Sequence, residues 1–296
     1  MHSHLVLCPY WGCTIIVSRV TVAAFIAVIM GSVLIVDRPN DTFTETQMRA
    51  QFATIFLSFI IMGIMSIFSV LPIMMSIRDM YYRHRASGMI GPVSLAWSLG
   101  YAEKGFILVS STIFCAIFLF VSFHPSAQTV RGGLAFWGFF TFNIAIYSYF
   151  GQAFVCFFKP MATAQILASV FIGLNNFFSG LIVRPQYMTG LFAITYWIAP
   201  GHFVYEGMIT AMYHQDNRLV VADNNTDFYN YLGCAEQNFT TTEQCTGTLE
   251  QYMLIFFGGK FQHDHTVRNL IILAVILCVA RFTTFLALCY INFSAT

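Results

Sequence analysis

The chain has 296 residues, of which 57% are hydrophobic and only 9% are charged, and its formal net charge is +1. Soluble globular chains have about 45–50% apolar and about 25% charged residues, so this composition excludes a large water-soluble domain and indicates a multi-pass membrane protein. The near-neutral charge also excludes nucleic acid as a partner, because phosphate binding needs a basic face.

Six apolar runs along the chain are long enough to cross a bilayer. A transmembrane helix needs about 20 apolar residues to span the hydrocarbon layer. Glu103 and Lys104 precede the third run, and we place them at the water boundary because a charge at the bilayer centre is costly. The expected fold is an all-α integral membrane domain with six transmembrane helices. The predicted spans are residues 14–36, 52–76, 105–123, 133–158, 162–183 and 269–291.

Two kinds of sequence mark predict which loops face the cytoplasm. Arginines cluster after the second span, at Arg78, Arg83 and Arg85, and cytoplasmic loops collect such residues. N-glycosylation sequons are used only on the opposite side of the membrane. They begin at Asn40, Asn224 and Asn238. An amino terminus in the cytoplasm puts the first sequon outside and the arginine cluster inside.

Residues 190–212 are apolar enough to form a seventh span, yet they contain Pro200, Gly201 and Glu206. If this segment crossed the membrane, the polar residues 213–268 would face the reducing cytoplasm. If it only dips into the membrane, its sequons and cysteines face the outside, where disulfides persist. A proline breaks a helix, and non-helical backbone at membrane depth must be covered by protein or line a cavity. We favour a re-entrant segment at 190–212, followed by a long extracellular loop at 213–268.

The cysteines divide by position. Cys234 and Cys245 share the polar loop and are the disulfide candidate. Four others lie in apolar runs, where a small buried hydrophobic side chain is the simpler interpretation. These are Cys115, Cys156, Cys278 and Cys289.

No enzymatic motif is visible in the chain. The stretch "GGKF" at 258–261 has neither the spacing nor the hydroxyl of a phosphate-binding loop. Neither a nucleophile elbow nor a zinc-binding H-E-x-x-H helix occurs. His263, Asp264 and His265 are ligand types for a metal, but an exposed polar loop is the simpler explanation for them. We therefore expect no catalytic residue, no metal site and no cofactor on this chain.

Several segments together resemble one known family. They are similar to motifs of the pleiotropic-drug-resistance branch of the G subfamily of ATP-binding-cassette transporters, and they follow the same order along the chain. The resemblance is to the carboxy-terminal membrane half of a full-size transporter. The segments are "YWGCTIIVSRV" (10–20), "MYYRHRASGM" (80–89), "FFSGLIVRPQYM" (177–188), "YWIAPGHFVYEGM" (196–208) and "FFGGKFQHDHTVRN" (256–269).

The resemblance implies an exporter fold of the ABC-2 type. Six helices would pair with a second membrane half around a central pathway, driven by two cytoplasmic ATPase domains that bind ATP and Mg. The nucleotide-binding domain is absent from this chain. In the family it precedes the membrane domain, so the start at Met1 indicates a fragment with a lost amino terminus or a subunit that uses an ATPase on another chain.

The resemblance also implies a surface that receives force from the ATPase domains. It covers Arg78, Asp79, Arg83, His84 and Arg85, which follow the second span. Arginine suits this role because its planar guanidinium pairs with carboxylates through two hydrogen bonds. The alternative is a solvated cytoplasmic anchor. His84 replaces the usual glutamate of the family motif.

A substrate path between spans two and five is implied in the same way. Thioether and aromatic side chains suit an adaptable apolar pocket, and simple helix packing or lipid contact is the alternative. The path residues are Met62, Met65, Phe68, Ser169, Gly173, Asn176 and Phe177. Leu181 and Ile182 correspond to an outer gate below the exit.

Two functions remain open at this point. The first is the membrane component of an ATP-driven exporter of hydrophobic or amphipathic compounds, and the expected location is the plasma membrane. The second is a non-transporting polytopic protein, such as a channel, a scaffold or a truncated product that never meets an ATPase.

Overall fold

A computed structural model describes residues 9–36, 42–122, 130–214, 216–224, 226–234 and 245–291, with the side chains of the first helix described from 17 to 33. Almost all regular structure in these residues is helical. The helices are α1 (Pro9–Val36), α2 (Glu45–Ala86), α3 (Pro92–Ser122), α4 (Val130–Phe157), α5 (Met161–Phe177), α6 (Leu191–Ile198), α7 (Pro200–Tyr213), α8 (Asp227–Tyr231), α9 (Leu249–Phe256) and α10 (Thr266–Tyr290). The strands are β1 (Thr42–Thr44), β2 (Leu219–Val221) and β3 (Thr246–Thr248).

Four helices in the described part of the chain are long and apolar enough to cross a membrane: α2, α3, α4 and α10 with the turn before it. The described part of α1 and the whole of α5 are shorter apolar helices of 10–17 residues. Within its most apolar window, α4 is 78% buried, whereas the corresponding window of α10 is 22% buried. Helix α4 is therefore the centre of the bundle, with α2, α3, α5, α7 and α10 packed around it.

Helix α2 begins at a capping box. The hydroxyl of Thr44 accepts a hydrogen bond from the backbone N–H of Gln47 at 3.3 Å. In return, the side-chain oxygen of Gln47 accepts one from the backbone N–H of Thr44 at 3.0 Å. This exchange satisfies two amide groups that have no partner inside the helix. The 42 residues of α2 span about 63 Å at ~1.5 Å per residue, well beyond the ~30 Å hydrocarbon layer. The helix is therefore longer than a single membrane crossing requires, and the arginine cluster lies in its last turns.

Several helix boundaries differ from the predicted spans, including both ends of α2, and the differences at α3 and α5 have local physical reasons. Helix α3 starts at Pro92 instead of residue 105, so Glu103 lies inside the helix and is buried. Helix α5 ends at Phe177, six residues before the predicted end, and Gly180 then adopts a φ of 103° that continues no helix. In the first case a distant arginine, Arg19, pairs with Glu103; in the second a turn ends the helix early.

The described residues of the polar loop 213–268 fold together with β1 over one end of the bundle, and we call this unit the cap. Strand β2 pairs in parallel with β1, at Phe43 opposite Val220, and antiparallel with β3, at Val220 opposite Gly247. Cys234 and Cys245 form a disulfide, with Cα atoms 6.2 Å apart. Since β1 directly precedes α2, the sheet fixes the cap to the start of that helix.

Glu45 at the start of α2 makes the main polar contact with the cap. Its carboxylate accepts hydrogen bonds from the Asp223 amide at 3.0 Å and the Thr226 hydroxyl at 2.6 Å, while Arg49 donates to it at 3.0 Å. The Tyr252 hydroxyl donates to the Glu45 carbonyl at 3.4 Å. Burial raises the pKa of Tyr252, although Arg49 beside it acts in the opposite direction, so the phenol remains a donor.

Helices α6 and α7 occupy the segment between α5 and the cap, with the break at Ala199. Helix α7 has 14 residues and is about 21 Å long at ~1.5 Å per residue. Its Tyr213 hydroxyl donates to the Gln51 side chain at 3.1 Å, and its Tyr205 hydroxyl donates to the Phe52 carbonyl at 3.0 Å. Both acceptors lie in the first two turns of α2, on the cap side of the bundle.

Glu206 fixes the middle of α7 to the start of α10. This buried carboxylate lies 2.9 Å from Nδ1 of His265. It accepts hydrogen bonds from the Asn269 side chain at 2.7 Å and from the backbone N–H of Gln262 at 3.3 Å. Arg268 lies 3.9 Å away. A buried carboxylate needs such partners, because an unpaired buried charge is strongly destabilising. Helix α7 thus contacts α2 and α10 near the start of each helix, at the end of the bundle where the cap lies.

The contact between α7 and α4 generates a test of this packing. A Cβ atom added at Gly207 would lie 2.3 Å from the Phe139 ring, so Gly207→Ala should destabilise the fold by roughly 1–3 kcal/mol through overpacking. Thermal unfolding of the purified chain in detergent measures the change. Gly138→Ala on α4 is the matched control, because nothing lies within 4 Å of its added Cβ. Equal melting temperatures for the two variants would contradict the packing.

Candidate functional site

Helices α2 and α5 each present an exposed stripe to the outside of the chain. On α2, Leu57, Met65 and Phe68 are 46%, 48% and 38% exposed. Their spacing places them on one side of the helix. On α5, Ile166 and Phe177 are 64% and 43% exposed, and Ser169 and Gly173 between them are exposed as well. We call these surfaces the α2 stripe and the α5 stripe.

Most of the predicted path residues lie on these stripes, and two do not. Met65 and Phe68 belong to the α2 stripe, and Ser169, Gly173 and Phe177 belong to the α5 stripe. Met62 is only 5% exposed, and Asn176 only 8%. Both point into the bundle instead of outward.

Asn176 belongs to a buried polar network that joins three helices. The Tyr147 hydroxyl of α4 donates to the Asn176 side chain at 2.8 Å and accepts from the Asn175 amide group at 2.7 Å. The side-chain oxygen Oδ1 of Asn175 accepts a hydrogen bond from the backbone amide of Gly201 at 2.6 Å. A Cβ at Gly201 would lie 2.7 Å from the Asn175 backbone oxygen, so glycine permits this close approach. The network holds the start of α7 against the end of α5.

The predicted outer-gate residues follow α5 in a non-helical turn. Leu181 is partly buried and packs against the main hydrophobic core. Ile182 is 56% exposed. The two neighbours therefore face different surroundings, and Ile182 is the one available to a ligand or a partner.

The predicted coupling residues divide into two groups, and the first group closes helix ends. Arg78 is buried and donates to the carbonyl oxygens of Val155 and Phe158, each at 2.7 Å, at the end of α4. Arg85 donates to the carbonyl oxygens of Leu288 at 2.8 Å and Cys289 at 3.1 Å, at the end of α10. Arginine suits such positions because the last carbonyls of a helix have no partner within it.

The second group remains on the surface. Asp79 has a side chain that is 55% exposed, although Arg78 lies 3.3 Å from it. Arg83 is exposed and His84 is half-buried. All lie in the last two turns of α2, at the opposite end of the bundle from the cap. Of the predicted coupling residues, Asp79, Arg83 and His84 are therefore the ones accessible to a partner.

Of the three sequons, the structure describes only one. Asn224 lies exposed in a turn of the cap, close to the disulfide-bearing segment. Asn40 and Asn238 lie outside the described residues. Within the described ranges, no group of three His, Cys, Asp or Glu side chains is placed to hold a metal ion.

One charged pair inside the bundle was missed by sequence reasoning. Arg19 of α1 donates from Nη1 to the Glu103 carboxylate at 2.7 Å, and its guanidinium lies 5.5 Å from the centre of the Phe106 ring. The signal was present in the sequence, since each residue is a charge next to or within an apolar run. Ionisable residues inside spans usually face the protein and pair with one another.

The family relationship agrees with this architecture. The ABC-2 type transporter family matches residues 10–213 of the chain, which include α1 to α7. The chain belongs to this family and is an integral membrane protein. Its cap lies largely outside the matched region.

The chain is similar to plant members of the G family of ABC transporters and to a pleiotropic drug resistance protein. ABC transporter G family member 53 of Oryza sativa subsp. japonica is 24% identical over 186 residues, covering 60% of this chain and 12% of the relative. ABC transporter G family member 35 of Arabidopsis thaliana is 27% identical over 162 residues, covering 54% and 11%. Pleiotropic drug resistance protein 1 of Nicotiana tabacum is 23% identical over 249 residues, covering 83% and 15%. The chain thus spans less than a fifth of the length of these relatives.

The buried network at Asn175 generates a second prediction. Asn175→Leu removes the acceptor of the Gly201 amide and a hydrogen-bond partner of Tyr147. An unsatisfied buried polar group costs about 1–3 kcal/mol, so the variant should melt several degrees lower in detergent. The control is Ser169→Ala, because the exposed Ser169 hydroxyl donates to the Gln165 carbonyl of its own helix and joins no other helix in the described part of the chain. A melting temperature equal to that of the control would show that the network does not stabilise the fold.

Proposed function

We propose that this chain is the transmembrane component of an ATP-driven exporter that moves hydrophobic or amphipathic compounds across a membrane. The observation that carries the proposal is the pair of exposed stripes on α2 and α5. The α5 stripe includes Ser169 and Gly173, and small residues favour close contact between helices in membranes. The outer face of α10, with Ile271, Val275 and Phe282 more than half exposed, has the bulky composition of a lipid-facing surface.

The stripes support a partnership with a second membrane half. A pathway formed between the two halves would be lined by Met65 and Phe68 on one side and by Ser169, Gly173 and Phe177 on the other. None of these residues is charged, so the lining suits hydrophobic or amphipathic small molecules. Ile182, beside Leu181, would lie near the exit of this pathway as part of the outer gate.

Energy for transport would come from elsewhere. The chain contains no phosphate-binding loop, so we assign no enzymatic step to it. Nucleotide-binding domains, located upstream in the same polypeptide or on another subunit, would bind ATP and Mg. Asp79, Arg83 and His84 would contact those domains. Arg78 and Arg85 would transmit their movement to the ends of α4 and α10, which they hold by hydrogen bonds.

We also propose six spans with a re-entrant segment formed by α6 and α7. Helix α6 has 8 residues and α7 has 14, fewer than the roughly 20 needed to cross. The hydrogen bonds of α7 to α2 and α10 meet the cap-side ends of those helices. Residues 213–268 would then be extracellular, with the Cys234–Cys245 disulfide and a glycan at Asn224. This location fits the plasma membrane.

The proposed transport is measured in inside-out vesicles from cells that overproduce the tagged chain with the ATPase domains that copurify with it. We expect ATP-dependent, vanadate-sensitive accumulation of the amphipathic dye rhodamine 6G. Vesicles from cells without the chain are the control. If no ATPase copurifies and no dye accumulates, the chain is a non-transporting polytopic protein.

A variant of the α5 stripe tests the path directly. Gly173→Trp adds a large side chain where nothing lies within 4 Å of an added Cβ. It should reduce dye accumulation at least about tenfold by filling the pathway, while the melting temperature changes little. The control is Val275→Trp, which adds the same side chain to the exposed face of α10. Equal transport by both variants would remove the α5 stripe from the pathway.

A further inference from the structure

A half-open, mainly apolar cavity that contains one charged pair lies between helices of the bundle, away from the α5 stripe. It has a volume of about 160 Å³ and is lined by residues of α1, α2, α3 and α4. Helix α5 contributes nothing to its described lining. The residues that matter for its chemistry are Arg19, Met65, Ser66, Ser69, Glu103 and Ser110.

The cavity contains hydrogen-bond donors without acceptors. Arg19 uses Nη1 to bind Glu103 at 2.7 Å. Its Nε and Nη2 atoms are buried and have no hydrogen-bond partner among the described residues. Each unpaired buried donor is costly, and the cost is highest for a charged group. A ligand oxygen that accepts from this guanidinium would remove that cost.

The serine hydroxyls of the same cavity supply acceptors. Ser69 donates to the Ser66 carbonyl at 2.8 Å, and Ser110 donates to the Phe106 carbonyl at 2.8 Å. Ser66 pairs with the Ser148 hydroxyl at 2.6 Å. A hydroxyl oxygen that donates its own proton keeps lone pairs for another donor. The serine hydroxyls and the Glu103 carboxylate can therefore accept a hydrogen bond from a ligand hydroxyl.

The charge of the cavity selects against ions. Glu103 lies beside Arg19 and balances its charge, so a ligand anion would meet the Glu103 carboxylate, and a cation would meet the guanidinium. Taking a ligand charge out of water without a dedicated partner is costly. A neutral oxygen that accepts from Arg19 suits the site without this cost.

The size and the opening of the cavity define the remainder of the ligand. Pockets for whole drug-sized molecules have volumes of about 300–1,000 Å³, so this cavity holds a polar head and its first carbons only. Val22 of α1 and Met65 of α2 line the cavity and are 39% and 48% exposed. The opening therefore lies between α1 and α2, where an apolar body can extend along the bundle surface.

We propose that the Arg19–Glu103 cavity binds the neutral hydroxyl or carbonyl oxygen of a long-chain amphiphile whose apolar body lies between α1 and α2. This inference rests on the proposed function, because it names a chemical class of compound that the exporter would take up. It also assigns the Arg19–Glu103 pair a role that helix packing alone does not require.

Three photoactivatable probes with the same 16-carbon chain test the proposal: an alcohol, a carboxylate and a hydrocarbon without a head group. Each is cross-linked to the purified full chain in lipid nanodiscs without ATP, and the labelled peptides are identified by mass spectrometry. We expect the alcohol to label residues 17–33 of α1 and 103–110 of α3, segments that line the cavity and lie outside the proposed pathway. Equal labelling by the hydrocarbon would reduce the site to a lipid groove. Stronger labelling by the carboxylate would overturn the neutral ligand class.

Variants identify the groups that bind the probe. Replacing the pair together, Arg19→Met with Glu103→Met, avoids leaving one buried charge alone and should lower alcohol labelling about tenfold. Ser69→Ala with Ser110→Ala should lower it about threefold, and this pair decides the question if the charge variant does not fold. Ser76→Ala, outside both the cavity and the proposed pathway, should leave labelling unchanged, because the exposed Ser76 hydroxyl donates to the Ile73 carbonyl of its own helix. Unchanged labelling in the folded cavity variants would contradict the proposal.

The two proposals fail separately. Photolabelling measures occupancy without ATP, so a lack of labelling removes the cavity ligand and leaves dye export untouched. Lack of dye export with specific alcohol labelling would instead leave a membrane protein that binds neutral amphiphiles and does not transport them.

Discussion

The structure depends on how the polar backbone groups at one break between helices, α6 and α7, find partners inside the bundle. Hydrocarbon offers no hydrogen bonds, so every backbone N–H there must find a partner in the protein. Helix α7 begins at Pro200, which has no N–H, and the next amide, that of Gly201, donates to the Asn175 side chain at 2.6 Å. Tyr147 in turn orients Asn175. This small network gives the Gly201 amide a partner at the point where the chain turns inside the bundle.

The position of the polar loop follows from that turn. With its start held at the end of α5 and its middle held by Glu206 at the start of α10, α7 stays near the cap side. The residues after it can then fold over the start of α2, where Glu45 binds the Asp223 amide and Thr226. At the opposite end of the bundle, Arg78 and Arg85 donate hydrogen bonds to the terminal carbonyls of α4 and α10. Polar side chains thus complete the helices at both ends of the bundle.

Local features of the sequence predict much of this fold. The apolar runs anticipate the long helices α2, α4 and α10, and Pro200 with Gly201 anticipates the break in the α6–α7 segment. Cys234 and Cys245, 11 positions apart, are joined as expected for two cysteines in one polar loop. The family motifs anticipate the match to the ABC-2 type transporter family. These features depend on composition and on neighbours in the chain.

Other features depend on partners far away in the sequence, and local patterns do not identify which partner each residue has. The start of α3 was placed too late because Glu103 suggests a water boundary until Arg19, 84 positions earlier, is brought beside it. The family resemblance assigns Asn176 to the pathway, yet Asn176 is buried and its side chain accepts a hydrogen bond from Tyr147 of α4. Arg78 looks like a surface charge until the end of α4 folds against it. In each case a tertiary contact decides the environment of a polar side chain.

The most direct test of the account is the side of the membrane on which the cap lies. Asn224→Cys in the cap and Arg83→Cys at the opposite end are labelled in intact cells with a membrane-impermeant maleimide, with the unmodified chain as the background control. The account predicts labelling of the Asn224→Cys variant in intact cells and of the Arg83→Cys variant only after permeabilisation. The reverse pattern, or labelling of both only after permeabilisation, would contradict a re-entrant α6–α7 segment.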